Sequence, residues 1–276
     1  ERLGCGVLFS VNALRGRTRD ECQPVDTPCR LLKKDARPPC CSSYSGAWDS
    51  SNLLALLRAT AAAGKRPSGL ALGNELAGDA GIEAHLSAAE YARDLLSLRR
   101  EVDALWPTKP PLLLAPDTAF DAEWAKLFLS QLRAASKEGG GGGGGGDGDG
   151  DGGRLPLDIL SHHIYPLGAG DGRQMVARSL DPKKLDSAVG KLKAAARVIN
   201  ASSSGLVAPA VSESGGAYNS GQRGVTDGFV SSFWFNDLLG ALARHGHAFG
   251  CRQAILGGHY ALLDLRRRQP APDFYS

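Results

Sequence analysis

Short apolar runs, each followed by a stretch with helical spacing, recur along the chain. The runs are Gly6–Val11, Gly69–Leu72, Leu112–Ala115, Leu157–Leu160, Val207–Val211 and Arg252–Leu256. Each is brief enough for a strand buried on both faces, where a continuous apolar run replaces strict alternation. Strand and helix in turn is the pattern of βα units around a parallel sheet, so an α/β fold is predicted. The helix after the second run is the plainest. Ser87 and Glu90 make a capping box, Tyr91, Leu95, Leu98, Val102 and Leu105 keep one apolar face, and Pro107 ends it. Phe120, Trp124, Leu127, Phe128 and Gln131 mark a second helix, and an aromatic-rich stretch from about Thr226 to Arg244 marks a third. These stripes read as core faces.

Two stretches break the pattern. Gly139–Gly146 is unbroken glycine and leads into Asp147-Gly148-Asp149-Gly150-Asp151-Gly152-Gly153. Such a composition buries too little surface to order itself, so residues 136–154 are expected to be a disordered insertion within the domain. The stretch matches the start of a calcium loop, but its twelfth position is Asp158 where the motif requires Glu, and no flanking helices frame it. It also matches G-x-G-x-x-G trivially, with no strand before it, so a dinucleotide site is not expected. The other break, residues 17–45, is rich in Cys and Pro and holds Cys22, Cys29, Cys40 and Cys41. Zinc thiolates usually sit two to four residues apart, which neither Cys22 to Cys29 nor the adjacent Cys40-Cys41 satisfies, so disulfides are favoured over metal. Asn200-Ala201-Ser202 is a glycosylation sequon. Both features point to the secretory pathway, as a secreted, extracellular, lysosomal or vacuolar protein.

At 276 residues and 42% hydrophobic content, one large domain spanning residues 1–276 is expected. The net charge of +3, from 32 basic and 29 acidic residues, gives no reason to propose nucleic acid or a membrane surface as partner. Arg266-Arg267-Arg268 reads as a solvated segment. No apolar run approaches the roughly 20 residues needed to span a bilayer. The opening, Glu1 to Phe9, reads as the middle of a buried strand, and further sequence upstream is expected.

Polar residues directly after strands are where a βα barrel keeps its chemistry. Gly69-Leu70-Ala71-Leu72-Gly73 runs into Asn74-Glu75, and Val207 to Ser212 runs into Glu213, three βα units later. Retaining glycoside cleavage needs one carboxylic acid to protonate the leaving oxygen and one carboxylate to attack the anomeric carbon, about 5 to 5.5 Å apart. Facing strands of a barrel mouth supply such a pair. A serine hydrolase is excluded, because no G-x-S-x-G elbow follows a strand and Ser214 lacks the preceding glycine.

Gly73-Asn74-Glu75 and Glu213 resemble the glycoside hydrolase clan that places its acid/base on the fourth strand and its nucleophile on the seventh. Four segments carry a finer resemblance: Leu72 to Leu76, Ser161-His162-His163-Ile164-Tyr165, Glu213 to Gly221, and Cys251-Arg252-Gln253-Ala254 to Tyr260. On these the chain is identified as similar to glycoside hydrolase family 79 in its plant heparanase-like form, from about Val7 to Leu263. The resemblance implies a TIM (β/α)8 barrel, incomplete here, with six βα units resembling strands 3 to 8. The first two strands and the C-terminal β-sandwich are then absent, and the missing strands would come from upstream sequence or another chain. It implies Glu75 as proton donor and later base, Glu213 as nucleophile, and Asn74 on the sugar 2-hydroxyl. His163 and Tyr165, alternate residues on one strand, would point together into the cleft, and Asn219, Ser220 and Tyr260 would meet a uronate carboxylate. No metal and no cofactor are implied. Animal members carry basic and amide residues where this chain has Leu76-Ala77-Gly78-Asp79 and Asp117-Thr118-Ala119-Phe120. The expected substrate is therefore a β-linked glucuronide, in a glucuronic-acid-containing plant or algal glycan or a small conjugate, and not heparan sulfate. The alternative is a non-catalytic or degenerate glycan-binding barrel fragment, which retention of both glutamates argues against.

Overall fold

The computed structural model describes residues 4–20, 42–77, 82, 84–138, 155–171, 173–264 and 266–276. The four-cysteine cluster, the glycine run and the aspartate repeat after it lie outside the described residues. The described chain divides into two compact units, residues 1–161 with 199–207, and residues 162–198 with 208–276.

The first unit begins with β1 (Leu8–Val11), β2 (Thr18–Asp20), β3 (Ser42–Ser45) and helix α1 (Ser51–Ala62). β4 (Gly69–Leu72), β5 (Ala84–His85), α2 (Ala88–Leu105), β6 (Leu112–Ala119) and α3 (Ala122–Glu138) follow. β1, β4 and β6 lie side by side and parallel, with Leu8 opposite Gly69 and Gly69 opposite Leu112. All four residues of β4 are buried, as an apolar run covered on both faces requires. The short strands β2, β3 and β5 form a separate small sheet. Ser87 caps α2 by accepting the Glu90 N–H, and its hydroxyl donates to the Glu90 carboxylate at 2.7 Å, so the capping box forms as read. The buried face of α2 meets α3 through Tyr91, which packs edge-on to Trp124 and Phe128 with ring centres 6.2 and 5.4 Å away. Arg99, buried on α2, pairs with Asp158 at 3.0 Å, and the same carboxylate oxygen accepts the Leu113 N–H at 2.8 Å. Asp158 is thus tied to a strand and a helix of this unit.

The second unit takes up the chain within β7 (Ile159–Ile164). It continues through α4 (Met175–Ser179), α5 (Pro182–Ser203) as far as Val198, β8 (Ala208–Ser214), a 3-10 turn (Phe229–Ser231) and α6 (Ser232–Arg244). β9 (Gly250–Arg252), β10 (Leu263–Asp264), β11 (Gln269–Pro270) and a final 3-10 turn (Pro272–Tyr275) complete it. β7, β8 and β9 are neighbours in that order, and β8 runs parallel to β9. Its core gathers Ile164, Leu192, Val211, Trp234, Leu238 and Leu242. At about 1.5–3 kcal/mol for each large side chain taken out of water, this cluster is a main source of the unit's cohesion. The Arg252 guanidinium lies over the adjacent rings of Trp234 and Phe235, 5.4 and 4.9 Å from their centres, and pairs with buried Asp273 of the last turn.

Several boundaries differ from those the apolar runs suggest. β6 continues four residues past Ala115, β7 runs to Ile164 where the run ends at Leu160, and β8 includes Glu213 where the run ends at Val211. In each case the strand carries polar residues toward its C-terminal end, which an apolar count misses. β9 ends at Arg252, so Ala254-Ile255-Leu256 is loop and Ile255 is 65% exposed. β1 is mostly exposed, contrary to a buried strand, because it hydrogen-bonds β4 on one side and presents Leu8 and Ser10 outward. Leu127, read as core, is exposed, and Leu129 and Leu132 fill the α3 stripe instead. Among the described residues no helix is long and apolar enough to cross a membrane.

Candidate active site

In the first unit the chain leaves β4 through a tight left-handed turn. Gly73 has φ +73°, and a Cβ there would sit 2.5 Å from the Leu76 side chain, so glycine is needed both for conformation and for space. Half-buried Asn74 and Glu75 follow. Glu75 itself takes φ 53°, and its N–H donates to the Asp117 carbonyl at 2.9 Å. Asp117, near the end of β6, is buried and also left-handed at φ 57°, and its carboxylate accepts the Ser10 hydroxyl at 3.2 Å. A non-glycine residue in this region costs about 1–3 kcal/mol, so two of them joined by one hydrogen bond form an over-determined piece of backbone. Beneath them the Tyr91 hydroxyl donates to the Leu72 carbonyl. Burial first, and then the charges of Asp117 and Asp94, hold the Tyr91 phenol well above its ordinary range.

In the second unit the last residues of β7, β8 and β9 bring a polar group together. Glu213 is the penultimate residue of β8 and partly exposed. The Tyr165 hydroxyl, just beyond β7, lies 2.5 Å from Glu213 Oε1 and also meets the Gln253 side-chain amide, just beyond β9. His163, two residues before Tyr165, points the same way, as alternate strand residues do, and its Nδ1 is 4.0 Å from the same carboxylate oxygen. Gly215 makes room for Tyr165, since a Cβ there would come within 2.7 Å of the phenol ring. Tyr218 packs edge-on to Tyr165 at 6.2 Å.

Beyond β8 the chain makes a left-handed run, with φ 57° at Asn219, 64° at Ser220 and 74° at Gly221. The Asn219 and Ser220 positions are exposed. The Ser220 carbonyl accepts the His259 N–H at 2.6 Å, and the Ser220 side chain hydrogen-bonds the Tyr260 hydroxyl. The Tyr260 phenol is pushed up mainly by burial, against the Ser220 hydrogen bond and with a further rise from the Glu213 charge. Thus His163, Tyr165 and Glu213 meet in one group, Asn219, Ser220 and Tyr260 form a second group on the same unit, and Asn74 and Glu75 stand at a strand end of the first unit.

Two residues of these strand ends were not singled out in the sequence, Gln253 and Asp117. Gln253 lies inside the apolar run Arg252–Leu256, so it read as mid-strand, and ending β9 one residue earlier turns it into a strand-end residue. Asp117 follows Pro116 beyond the run Leu112–Ala115, and its conformation has no composition signal.

A family model described as "Glycosyl hydrolase family 79, N-terminal domain" matches residues 1–139 and 151–240. Heparanase-like protein 1 of Arabidopsis thaliana is 33% identical over 276 residues, covering 99% of this chain and 43% of its own length. Baicalin-beta-D-glucuronidase of Scutellaria baicalensis is 30% identical over 278 residues, covering 99% and 47% respectively. The chain therefore spans less than half the length of these relatives. Among solved structures, a Paenibacillus polymyxa xyloglucanase of glycoside hydrolase family 44 superposes with TM-score 0.58 at 14% identity, covering 98% of this chain and 63% of that one. That likeness is one of fold, and it is to TIM-barrel-like glycoside hydrolases.

Proposed function

The chain belongs to glycosyl hydrolase family 79, and on that premise we propose that the protein is a retaining glycoside hydrolase of β-linked glucuronides. Glu213 attacks the anomeric carbon while Glu75 gives its proton to the departing glycosidic oxygen, which leaves a glucuronosyl ester on Glu213. Glu75, now ionised, takes a proton from water, the water oxygen attacks the same carbon, and glucuronic acid leaves with Glu213 restored. No metal or organic cofactor enters either step.

The observation that carries this reading is the Tyr165 hydroxyl 2.5 Å from Glu213 Oε1 at the end of β8, in a chain of this family. A carboxylate with a donor fixed on one oxygen keeps the other directed for attack. Glu75 owes its part to its strand-end position after Gly73-Asn74 and to the family resemblance. The uronate carboxylate of the substrate would meet the exposed left-handed run at Asn219 and Ser220, whose N–H groups are of the kind that cradle anions, together with the Tyr260 hydroxyl. The name of the Scutellaria relative, a β-D-glucuronidase, favours a glucuronide over a neutral glycoside. Asn74 is proposed on the sugar 2-hydroxyl and His163 beside the nucleophile. Passage through the secretory pathway belongs to the same proposal, supported by the sequon at Asn200, which is exposed on α5.

The test is hydrolysis of an aryl β-glucuronide against the matching β-glucoside by the full gene product. Turnover of the glucuronide with little or none of the glucoside is expected. Failure of the folded protein to cleave the glucuronide would overturn the reading.

A further inference from the structure

We propose that Gln253 is a positioning residue for the nucleophile, its side-chain amide donating to the Tyr165 hydroxyl so that the single proton of that hydroxyl is left for Glu213. The inference rests on the reading of Glu213 as nucleophile and goes beyond it in assigning a direction to the hydrogen bonds behind it.

A phenol has one proton to give and lone pairs to receive with, and an ionised carboxylate can only receive. Tyr165 Oη lies between Glu213 Oε1 at 2.5 Å and the amide of Gln253, with Gln253 Oε1 facing it. In that orientation two acceptors contend for one proton, and whichever loses is an oxygen pressed against an oxygen. A half-turn of the amide exchanges its oxygen and nitrogen, which have almost the same outline, and removes the conflict. The chain then runs in one sense, from the Gln253 amide N–H to Tyr165 Oη and from the Tyr165 O–H to Glu213. A phenol that accepts a hydrogen bond is also the stronger donor, so the two links reinforce each other.

The backbone around Gln253 is built to hold such a link. Its own N–H donates to the Ser214 carbonyl at 2.7 Å, which ties it to the residue after the nucleophile. The preceding Arg252 packs over the rings of Trp234 and Phe235 and pairs with Asp273, its side chain 4% exposed. The Ser214 hydroxyl donates to the Cys251 carbonyl at 2.8 Å, a second tie between β8 and β9 at the same level. Tyr165, Glu213 and Gln253 therefore stand on three adjacent strand ends with little freedom to separate.

Two variants of the full gene product and one structural measurement test this. Gln253→Leu removes the donor and is expected to lower kcat on an aryl β-glucuronide about tenfold with KM changed less than about twofold. Gln253→Glu puts an acceptor in its place. Ionised, it takes the Tyr165 proton away from Glu213, and neutral, it can donate as the amide does. Its rate relative to the unchanged protein should therefore rise as pH falls. Variants that both keep full kcat, or a Gln253→Glu ratio that is flat with pH, would overturn the relay while leaving the glucuronidase reading intact. Neutron diffraction from deuterated crystals gives the answer without any activity. Deuterons are expected on the Gln253 atom facing Tyr165, with the phenol deuteron directed at Glu213. A phenol deuteron directed at Gln253 sinks the relay. The expected pattern in a protein that cleaves no glucuronide sinks the proposed reaction instead.

Discussion

The two glutamates sit at comparable strand ends and are held by different means. Around Glu75 the main chain does the holding, through left-handed Gly73, Glu75 and Asp117 and the Glu75 N–H bond to the Asp117 carbonyl. Around Glu213 the backbone is extended strand whose register against β9 shifts between Val211 and Ser214, and side chains hold the carboxylate, Tyr165 on it with Gln253 behind. In the proposed reaction this division is sensible. An acid that becomes a base must meet a leaving group and then a water at one place, and a main chain pinned beneath it by the Asp117 carbonyl fixes that place. A nucleophile must present one oxygen along one line, so fixed partners on its carboxylate serve it better.

Removing the proposed nucleophile is the largest break that can be made. Glu213→Gln should lower aryl β-glucuronide turnover by at least about a thousandfold with folding unchanged, measured as kcat and as the thermal midpoint. Tyr165→Phe removes only the donor on that carboxylate, and a loss of roughly ten- to a hundredfold in kcat is expected, again with little change in midpoint. Two glycine variants then set the regions against each other. Gly73→Ala forces a Cβ to 2.5 Å from Leu76 at φ +73°, and should cost about 1–3 kcal/mol, seen as a midpoint several degrees lower. Gly215→Ala, where the clash is with the Tyr165 ring at 2.7 Å, should lower kcat more than it lowers the midpoint. If both variants lose stability and rate in the same proportion, the distinction between backbone-held and side-chain-held sites is wrong.

A separate effect, on stability and not on rate, concerns pH and belongs to the Glu213 unit. His162 and His247, whose Nε2 atoms are 3.1 Å apart in the interior, are held down mainly by burial, to about 3 and about 4. Both rings are thus neutral in the folded protein at pH values where the unfolded chain, titrating near 6.5, binds protons. Their contribution to stability is complete above about pH 6.5 and is lost as pH falls toward their folded values. The slope is at most about 1.4 kcal/mol per pH unit for each ring. Chemical denaturation between pH 7 and 4 should show this decline, and replacing both rings by Leu and Met should flatten it.

Much of the scaffold was legible because burial writes itself into apolar runs. β4 lies where Gly69–Leu72 predicts it, and Ser87 and Glu90 cap α2 as their spacing predicts. The functional ends of strands were harder. β7 carries Ser161, His162 and His163 in a fully buried strand, which no hydrophobic count would include, and β8 reaches through Glu213 for the same reason. Glu75 and Glu213 could be found because glutamate after an apolar run is conspicuous. Gln253 could not, since an amide within the run Arg252–Leu256 is unremarkable until β9 is known to end at Arg252. The conformation of Glu75 belongs to tertiary hydrogen bonding, for which the residue has no local signature, and that of Asp117 is one aspartate visits only as a single residue. Asn219 is the exception, because asparagine accepts the left-handed region more readily than most residues, and there it has φ 57°.

The most direct test of the central claim is to trap the intermediate. An activated 2-deoxy-2-fluoro-β-glucuronide reacts readily with a retaining nucleophile and leaves it slowly, so the protein should gain one fluoroglucuronosyl mass and lose activity in step. Peptide mapping is predicted to place that mass on Glu213. A label on another residue, or inactivation-free turnover with no covalent adduct, would contradict the assignment of Glu213 as the nucleophile of a retaining enzyme.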